Sequence, residues 1–138
     1  MLVKMNPYMN IGVGARRIVY SVGNGAVTKV AKSRYGIRSN KREVQIYRSS
    51  PIRIRRLLGK IFSYGNNYRW VKMKKYNHHF PHLKKYKRKV FRLRRSFQNY
   101  GIHPYEVISS NGDPNYKNLR LLNNGKIVVI DYGNFRMR

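Results

Sequence analysis

The feature that most constrains this chain lies near its C-terminus, where two apolar runs of strand length flank a turn signal. The runs are residues 119–122 and 127–130, and Asn124-Gly125 between them strongly indicates a β-hairpin. If these two residues form the turn, Asn118 lies directly opposite Asp131. Opposed residues on antiparallel strands hold their Cβ atoms about 4.5–5.5 Å apart. An amide oxygen and a carboxylate at that spacing suit a shared hard cation such as Mg²⁺.

The hairpin and its polar ends resemble the catalytic loop and DFG element of protein kinases. The family pattern is an Asp, four residues, an Asn, a β-hairpin and Asp-Phe-Gly. Here Asp113, Asn118 and Asp131-Tyr132-Gly133 follow that order and spacing. The His-Arg that precedes the first Asp in the family is replaced by Asn111-Gly112, and the Lys often found after it by Asn115. An ordinary hairpin with turn residues at both ends is the alternative interpretation.

A second stretch, near the N-terminus, resembles the Gly-rich loop of kinases, G-x-G-x-x-G-x-V. Gly12, Gly14 and Val19 match this pattern, and Arg17 stands at the third glycine. Glycines let backbone N–H groups approach a phosphate closely. Arg17 either reaches a phosphate or blocks that approach, and a simple hairpin turn is the alternative for the whole stretch.

The stretch from Tyr8 to Ala31 predicts three strands, and the resemblance places Lys29 on the third as the ATP-phosphate lysine. A lysine that faces inward needs an anion, because an unpaired buried charge is costly. The alternatives are a surface lysine, or Lys32 in the same role from the opposite face. Residues 39–43 read as a helix start. Glu43 there is either the capping-box partner of Asn40 or, as we favour, the helix-C glutamate that pairs with Lys29.

The middle of the chain predicts a helix end near residues 49–50, before Pro51, and then a strand pair over 60–64 and 68–73. By resemblance, Met73 leads into a hinge at residues 74–76, whose backbone would hold an adenine edge. Three histidines follow, and two of them have the i, i+4 spacing of metal ligands. Since Pro81 interrupts any helix between those two, we favour a plain loop for them.

Residues 83–100 form the clearest predicted helix, with Gly101 as its C-cap. Its polar face carries no acid, so it is the best candidate for contact with a polyanion such as nucleic acid. The cations concerned are Lys84, Lys85, Lys87, Arg88, Lys89, Arg92, Arg94 and Arg95.

The charge of the chain strengthens two expectations, that of a polyanion partner and that of a kinase-like site. There are 31 Lys and Arg against four Asp and Glu, for a formal net charge of +27. Such a chain is attracted to polyanions. Nucleic acid is the leading candidate, and an acidic protein or an anionic membrane is a weaker one. The alternative is a solvated basic surface with no dedicated partner. Three of the four acids, Glu43, Asp113 and Asp131, fall where a kinase-like site needs them, and Glu106 is expected to neutralise nearby arginines in part.

The cysteine-free sequence shows neither a signal peptide nor an apolar run of about 20 residues. A cytoplasmic location and no integral membrane segment are therefore expected. The oligomeric state is left open.

Taken together, the resemblance implies an α+β, minimal bilobal kinase-like fold of the kind seen in compact bacterial or phage kinases. Residues 1–76 would form the N-lobe and residues 77–138 a reduced helical C-lobe. It also implies ATP and Mg²⁺ as cofactors: Lys29 would hold the phosphates, with Gly12, Gly14, Val19 and Met73 around the nucleotide. Glu43 would orient Lys29, Asn118 and Asp131 would bind Mg²⁺, and Asp113 would orient or deprotonate the acceptor hydroxyl.

The sequence ends seven residues after Asp131, without the activation segment and helices on which kinases dock protein substrates. Three functions are therefore carried forward. The first is an ATP- and Mg²⁺-dependent Ser/Thr protein kinase, drawn to nucleic acid by its charge. The second is a catalytically inactive kinase-like module that binds DNA or RNA. The third is a small basic protein that clamps an acidic partner protein.

Overall fold

A five-stranded antiparallel sheet dominates the first half of the computed structural model, which describes residues 9–138. Its strand order is β1-β2-β3-β5-β4. The strands are β1 (Met9–Val13), β2 (Arg17–Gly23), β3 (Ala26–Ala31), β4 (Ile61–Tyr64) and β5 (Trp70–Lys74). The three N-terminal strands and the later strand pair are confirmed, although the expected start at Tyr8 lies outside the described residues.

Helix α1 (Arg34–Ser49) packs against this sheet and begins earlier than predicted. Its N-cap is Ser33, whose hydroxyl accepts a hydrogen bond from the Tyr35 amide at 3.3 Å. The expected start at residues 39–43 is therefore wrong, and Asn40 is a buried mid-helix residue instead of a cap. The early start is possible because Gly36 lets the helix pass against the Arg16 carbonyl oxygen, with which an added Cβ would clash. The helix ends at Ser49, as expected.

A second long helix, α3 (Lys84–Tyr100), follows the short helix α2 (Ile52–Arg55) and the two strands β4 and β5. It confirms the predicted helix to within one residue. Gly101 has a φ of 95° and its amide donates to Gln98 O, so the glycine C-cap is also confirmed. The face toward the core is apolar and includes Val90, Leu93 and Phe97.

The C-terminal hairpin is present, but its register differs from the prediction by one residue. Strands β7 (Leu119–Leu121) and β8 (Ile127–Val129) pair so that Leu119 lies opposite Val129. The turn has three residues, because Gly125 adopts a φ of 81° and Leu122 N donates to Lys126 O at 2.8 Å. A three-residue loop that ends in a left-handed glycine is a common alternative to the two-residue turn. Asn118 therefore pairs with Ile130, not Asp131, and Ile130 N donates to Asn118 O at 2.9 Å.

The core joins the sheet, the helices and the hairpin, and the short strands β6 (Ile102–His103) and β9 (Arg136–Met137) close the C-terminal end. Tyr132, Phe97 and Phe135 are its largest fully buried side chains. The fold is thus α+β, with an N-terminal antiparallel sheet and few helices, as predicted. No helix in residues 9–138 has both the length and the apolar character that a membrane span requires.

Candidate functional site

A cleft of about 460 Å³ lies between the sheet and the C-terminal hairpin. This sheet–hairpin cleft falls within the range of about 300–1,000 Å³ that small-molecule sites occupy. Six of the residues singled out from the sequence line it: Gly12, Val19, Lys29, Met73, Asn118 and Asp131. The structure therefore brings together residues from both ends of the chain.

Lys29 projects from β3 and is almost fully buried, as is Glu43 on α1. Their charged groups lie 2.9 Å apart, and Lys29 Nζ also donates to the Ile130 carbonyl at 2.6 Å. Burial lowers the pKa of Lys29; the Glu43 charge opposes that shift and the Arg17 charge adds to it. Lys32, the alternative lysine, is exposed and binds the Gly14 carbonyl at 3.2 Å. Of the two, Lys29 is the lysine that faces the cleft.

Glu43 is the anionic centre of the site, since its carboxylate is completely buried and accepts from three groups. Besides Lys29, these are the guanidinium of Arg17 and the backbone amide of Tyr132, at 2.9 Å. A buried carboxylate is tolerated only when charges and hydrogen bonds compensate its lost hydration. Glu43 thus links the sheet, helix α1 and the segment that follows β8.

Arg17, the residue at the third glycine position, is the main finding that the sequence did not anticipate. It is only 8% exposed and lies at the start of β2. Its guanidinium binds Glu43 and also donates to Asp131 Oδ1 at 2.7 Å and Asn40 Oδ1 at 3.1 Å. The two roles left open for it both concern a phosphate, whereas the contacts in the structure are with the protein's own Glu43, Asp131 and Asn40. The scarcity of acids could have signalled this, since a buried arginine needs a carboxylate.

Asp131 keeps part of its carboxylate available to the cleft, with its side chain 44% exposed. Burial alone would raise its pKa, but the charges of Lys29 and Arg17 and the Gly133 amide outweigh burial and hold the pKa below its ordinary value. Asp131 is therefore ionised at neutral pH.

Asp131 and Asn118 are the cleft residues that would hold a magnesium ion. Asn118 also lines the cleft. Its side-chain nitrogen donates to the carbonyl oxygen of Glu106 at 3.3 Å, and Glu106 is not one of the residues that line the cleft. A carboxylate and an amide oxygen are hard ligands of the kind Mg²⁺ takes, with water and phosphate oxygens completing the shell. Residues 9–138 contain no cluster of three or more His, Cys, Asp or Glu side chains that could hold a metal ion.

Asp113 does not line the sheet–hairpin cleft. It lies on an exposed loop, where Gly112 has a φ of 86° and the Asp113 amide donates to Asn111 Oδ1. Its carboxylate contacts Lys87 Nζ at 3.2 Å, and both side chains are about half exposed. The Asp113 side chain is 52% exposed, so its carboxylate is accessible from solvent despite this contact.

Two further parts of the chain that were expected to contact the nucleotide, Gly14 and the hinge at residues 74–76, use backbone amides for contacts within the protein. Gly14 does not line the cleft, and its amide closes the β1–β2 turn by donating to Arg17 O at 2.8 Å. At the expected hinge, the Lys74 amide donates to Lys60 O and the Lys75 amide to Gly25 O. These two amides are therefore committed to the protein's own backbone, although residues 74–76 do line the cleft.

The polar face of α3 is open to solvent over most of its length. Lys87 and Arg94 are half-buried, and the remaining six predicted nucleic-acid residues are exposed: Lys84, Lys85, Arg88, Lys89, Arg92 and Arg95. Among residues 9–138, the Lys87–Asp113 contact is the one salt bridge on this face. The exposed face therefore carries uncompensated positive charge.

Two kinases are among the solved structures to which this chain is similar. The bifunctional kinase–methyltransferase WbdD matches with a TM-score of 0.67 at 13% identity, over 95% of this chain and 33% of that chain. The Legionella pneumophila kinase Lpg2603, solved bound to IP6, matches with a TM-score of 0.61 at 20% identity, over 96% of this chain and 51% of that chain. This chain therefore spans about a third of WbdD and half of Lpg2603.

No protein-family model and no curated protein matches the sequence. At identities of 13–20%, the structural matches show the fold alone. The chain has a kinase-like fold, which is the fold that the resemblance implied.

Proposed function

We propose that this protein is a phosphotransferase that uses ATP and Mg²⁺ to phosphorylate a hydroxyl group, on Ser or Thr of a protein. The observation that carries the proposal is the 2.9 Å Lys29–Glu43 pair on the wall of a cleft that Asp131 and Asn118 also line. Phosphoryl transfer needs positioning and neutralisation of phosphate charge more than covalent chemistry. A kinase-like fold with a buried lysine at such a cleft suits that task.

In the proposed reaction, Lys29 binds the nucleotide phosphates and Glu43 keeps its ammonium in place. Asp131 and Asn118 would hold Mg²⁺, which would neutralise charge on the phosphates. Arg17 fixes one Asp131 oxygen and thereby orients the carboxylate toward the cleft. Asp113, which is exposed, would accept the proton of an acceptor hydroxyl that arrives from solvent, while the hydroxyl oxygen bonds to the γ-phosphorus and ADP leaves. Val19 and Met73 provide apolar walls for the base.

Transfer of label from γ-³²P-ATP in the presence of Mg²⁺ tests the proposal, with a general Ser/Thr substrate protein as acceptor. We expect incorporation by the wild type and loss of it in Asp131→Ala and in Lys29→Met. Asp113→Asn is the informative companion variant, because it should lose transfer while retaining nucleotide binding. Equal incorporation in wild type and Asp131→Ala would contradict the proposal.

A second candidate function, a kinase-like module that binds nucleic acid without catalysis, is favoured by the acid-free exposed face of α3. Electrostatic binding to DNA or RNA weakens steeply with salt, with a log–log slope of about −0.9 for each phosphate contacted on B-DNA. We expect a slope of about −4 or steeper for a duplex, which corresponds to four or more phosphate contacts. An acidic partner protein remains the alternative occupant, and a slope near zero with DNA and RNA would favour it.

Nucleic-acid binding by the α3 face is compatible with phosphoryl transfer at the cleft, since no residue of α3 lines the cleft. Charge reversal on α3, as in Arg88→Glu with Arg92→Glu, should weaken nucleic-acid binding and leave transfer to a small acceptor intact. The cytoplasm, where ATP and Mg²⁺ are abundant, is the location we propose for both.

A further inference from the structure

A second cavity, of about 740 Å³, is lined in part by helix α1 and contains four arginines among its lining residues. Arg16 comes from the turn before β2, Arg38 and Arg42 from α1, and Arg136 from β9. We call it the arginine cavity. The only acid among its lining residues is Glu106. Its charge is therefore strongly positive.

The four arginines have no carboxylate partner within 4.0 Å among residues 9–138. Glu106, which was expected to neutralise nearby arginines in part, lines the same cavity but forms no ion pair with them within 4.0 Å. The contacts that Arg16 and Arg42 do make are with neutral oxygens, Asn134 Oδ1 at 3.1 Å and Phe135 O at 3.0 Å. The guanidinium charges thus converge without internal compensation.

This arrangement differs from the basic face of α3, where cations are distributed along the convex surface of a helix. In the arginine cavity, the guanidinium groups come from three separate segments and surround one concave space. Arginine presents a planar set of donors that binds phosphate oxygens in pairs, which lysine does not. Two tyrosines, Tyr35 and Tyr105, also line the cavity and are about half exposed.

From these observations we propose that the arginine cavity is a binding site for a compact polyphosphate, a small molecule that carries several phosphate groups. The volume exceeds what one phosphate fills, and four arginines supply enough donors for several phosphate groups. This site is separate from the sheet–hairpin cleft, and polyphosphate binding there does not require that the cleft transfers phosphate.

The position of the site gives ligand binding a structural consequence. Gly133 packs on Ser39 of α1 so closely that an added Cβ would lie 3.0 Å from the Ser39 Cβ. A ligand bound to Arg16, Arg38 and Arg136 would hold together the β2 entry, α1 and the segment after Asp131. These are the segments that carry Arg17, Glu43 and Asp131. Polyphosphate binding should therefore stabilise the arrangement of the cleft residues.

Isothermal titration of the full chain with sodium tripolyphosphate tests the inference. The test variant is Arg38→Gln with Arg136→Gln, because both side chains are exposed and neither belongs to the core. The control is Arg88→Gln with Arg92→Gln on α3, which removes the same charge from exposed positions elsewhere. Loss of two charge-assisted contacts should weaken binding about 100-fold. We expect the control to change it less than about threefold, because distant exposed charges are screened.

Equal weakening in the two variants would overturn the inference, because it would mean that tripolyphosphate responds only to the total charge. Inorganic phosphate provides a second arm: binding as tight as that of tripolyphosphate would mean that a single phosphoryl group is the ligand, and would overturn the polyphosphate assignment. If the glutamine variant does not fold, Arg38→Lys with Arg136→Lys keeps the charge and loses the paired donor geometry. We expect about tenfold weaker binding there, and undiminished binding would contradict the site.

Discussion

Replacement of Glu43 by Gln tests the electrostatic centre of the protein with almost no change of shape. The Glu43 side chain is fully buried and pairs with two cations, Arg17 and Lys29, whose side chains are 9% and 7% exposed. In the variant, these two cations retain only Asp131 as a counter-charge. The glutamine carbonyl oxygen can still accept a hydrogen bond from the Tyr132 amide, so the loss comes mainly from the charge.

Removal of one partner from a buried ion pair costs about 3–5 kcal/mol, since the remaining charge stays buried and uncompensated. For a chain of 138 residues, 1 kcal/mol corresponds to about 4 °C in melting temperature. We therefore expect Glu43→Gln to lower the free energy of unfolding by about 3–5 kcal/mol and the melting temperature by about 12–20 °C.

Urea denaturation followed by far-UV circular dichroism measures the loss in the free energy of unfolding. A double-mutant cycle shows how much of that loss comes from the interaction between Glu43 and Arg17. With Arg17 already replaced by Gln, one buried cation is gone, so the same Glu43 substitution should cost at least about 1 kcal/mol less. A Glu43→Gln variant within about 1 kcal/mol of wild type would refute the reasoning. Full additivity in the cycle would show that Arg17 and Glu43 are not energetically coupled.

Three other predictions concern the neighbours of Glu43. Tyr132→Phe removes a buried hydroxyl that donates to Gly59 O at 2.9 Å, so we expect unfolding to become easier by about 1 kcal/mol in urea melts; no change would mean that this bond contributes nothing. Arg17→Ala removes the group that fixes Asp131 Oδ1 at 2.7 Å, so we expect weaker Mg²⁺-dependent nucleotide binding together with a less stable fold; unchanged Mg²⁺ dependence would contradict the orienting role of Arg17. Because the pKa of Asp131 lies below its ordinary value of 3.8, its ionised form stabilises the fold above that pH and this contribution is lost as the pH falls below it. Asp131→Asn should therefore flatten the acid limb of stability against pH, and identical acid limbs would contradict the assignment.

The resemblance to kinases implied the Lys29–Glu43 pair, and the pattern of β3 and the scarcity of acids supported it. The alternating pattern of β3 placed Lys29 on the inner face, and the chain offers four acids in all. The two hairpin ends were similarly visible from apolar runs and turn residues. Asn118 precedes the first strand of the hairpin and Asp131 follows the second, so both residues lie at the same end of the hairpin and line the same cleft.

The features that the sequence did not reveal include two places where alternative local structures, two turn types and two helix starts, are similarly favourable. Asn124-Gly125 suits a two-residue turn, but a three-residue loop with Gly125 in the left-handed conformation is also favourable, and it shifts Asn118 by one position. The helix start at Ser33 competed with a capping signal at Asn40. The role of Arg17 depends on tertiary contacts with residues more than 20 positions away, which no local pattern encodes.

Nucleotide binding tests the proposed role of the cleft most directly. A fluorescent ADP analogue should be titrated with and without Mg²⁺ into the wild type, Asp131→Asn and Asp113→Asn. The two variants lose the same charge, but only Asp131 lines the cleft. We expect saturable, Mg²⁺-dependent binding by the wild type and by Asp113→Asn, and loss of the Mg²⁺ dependence in Asp131→Asn. No saturable binding by the wild type, or the same Mg²⁺ dependence in all three proteins, would contradict a nucleotide site at Lys29 and Asp131.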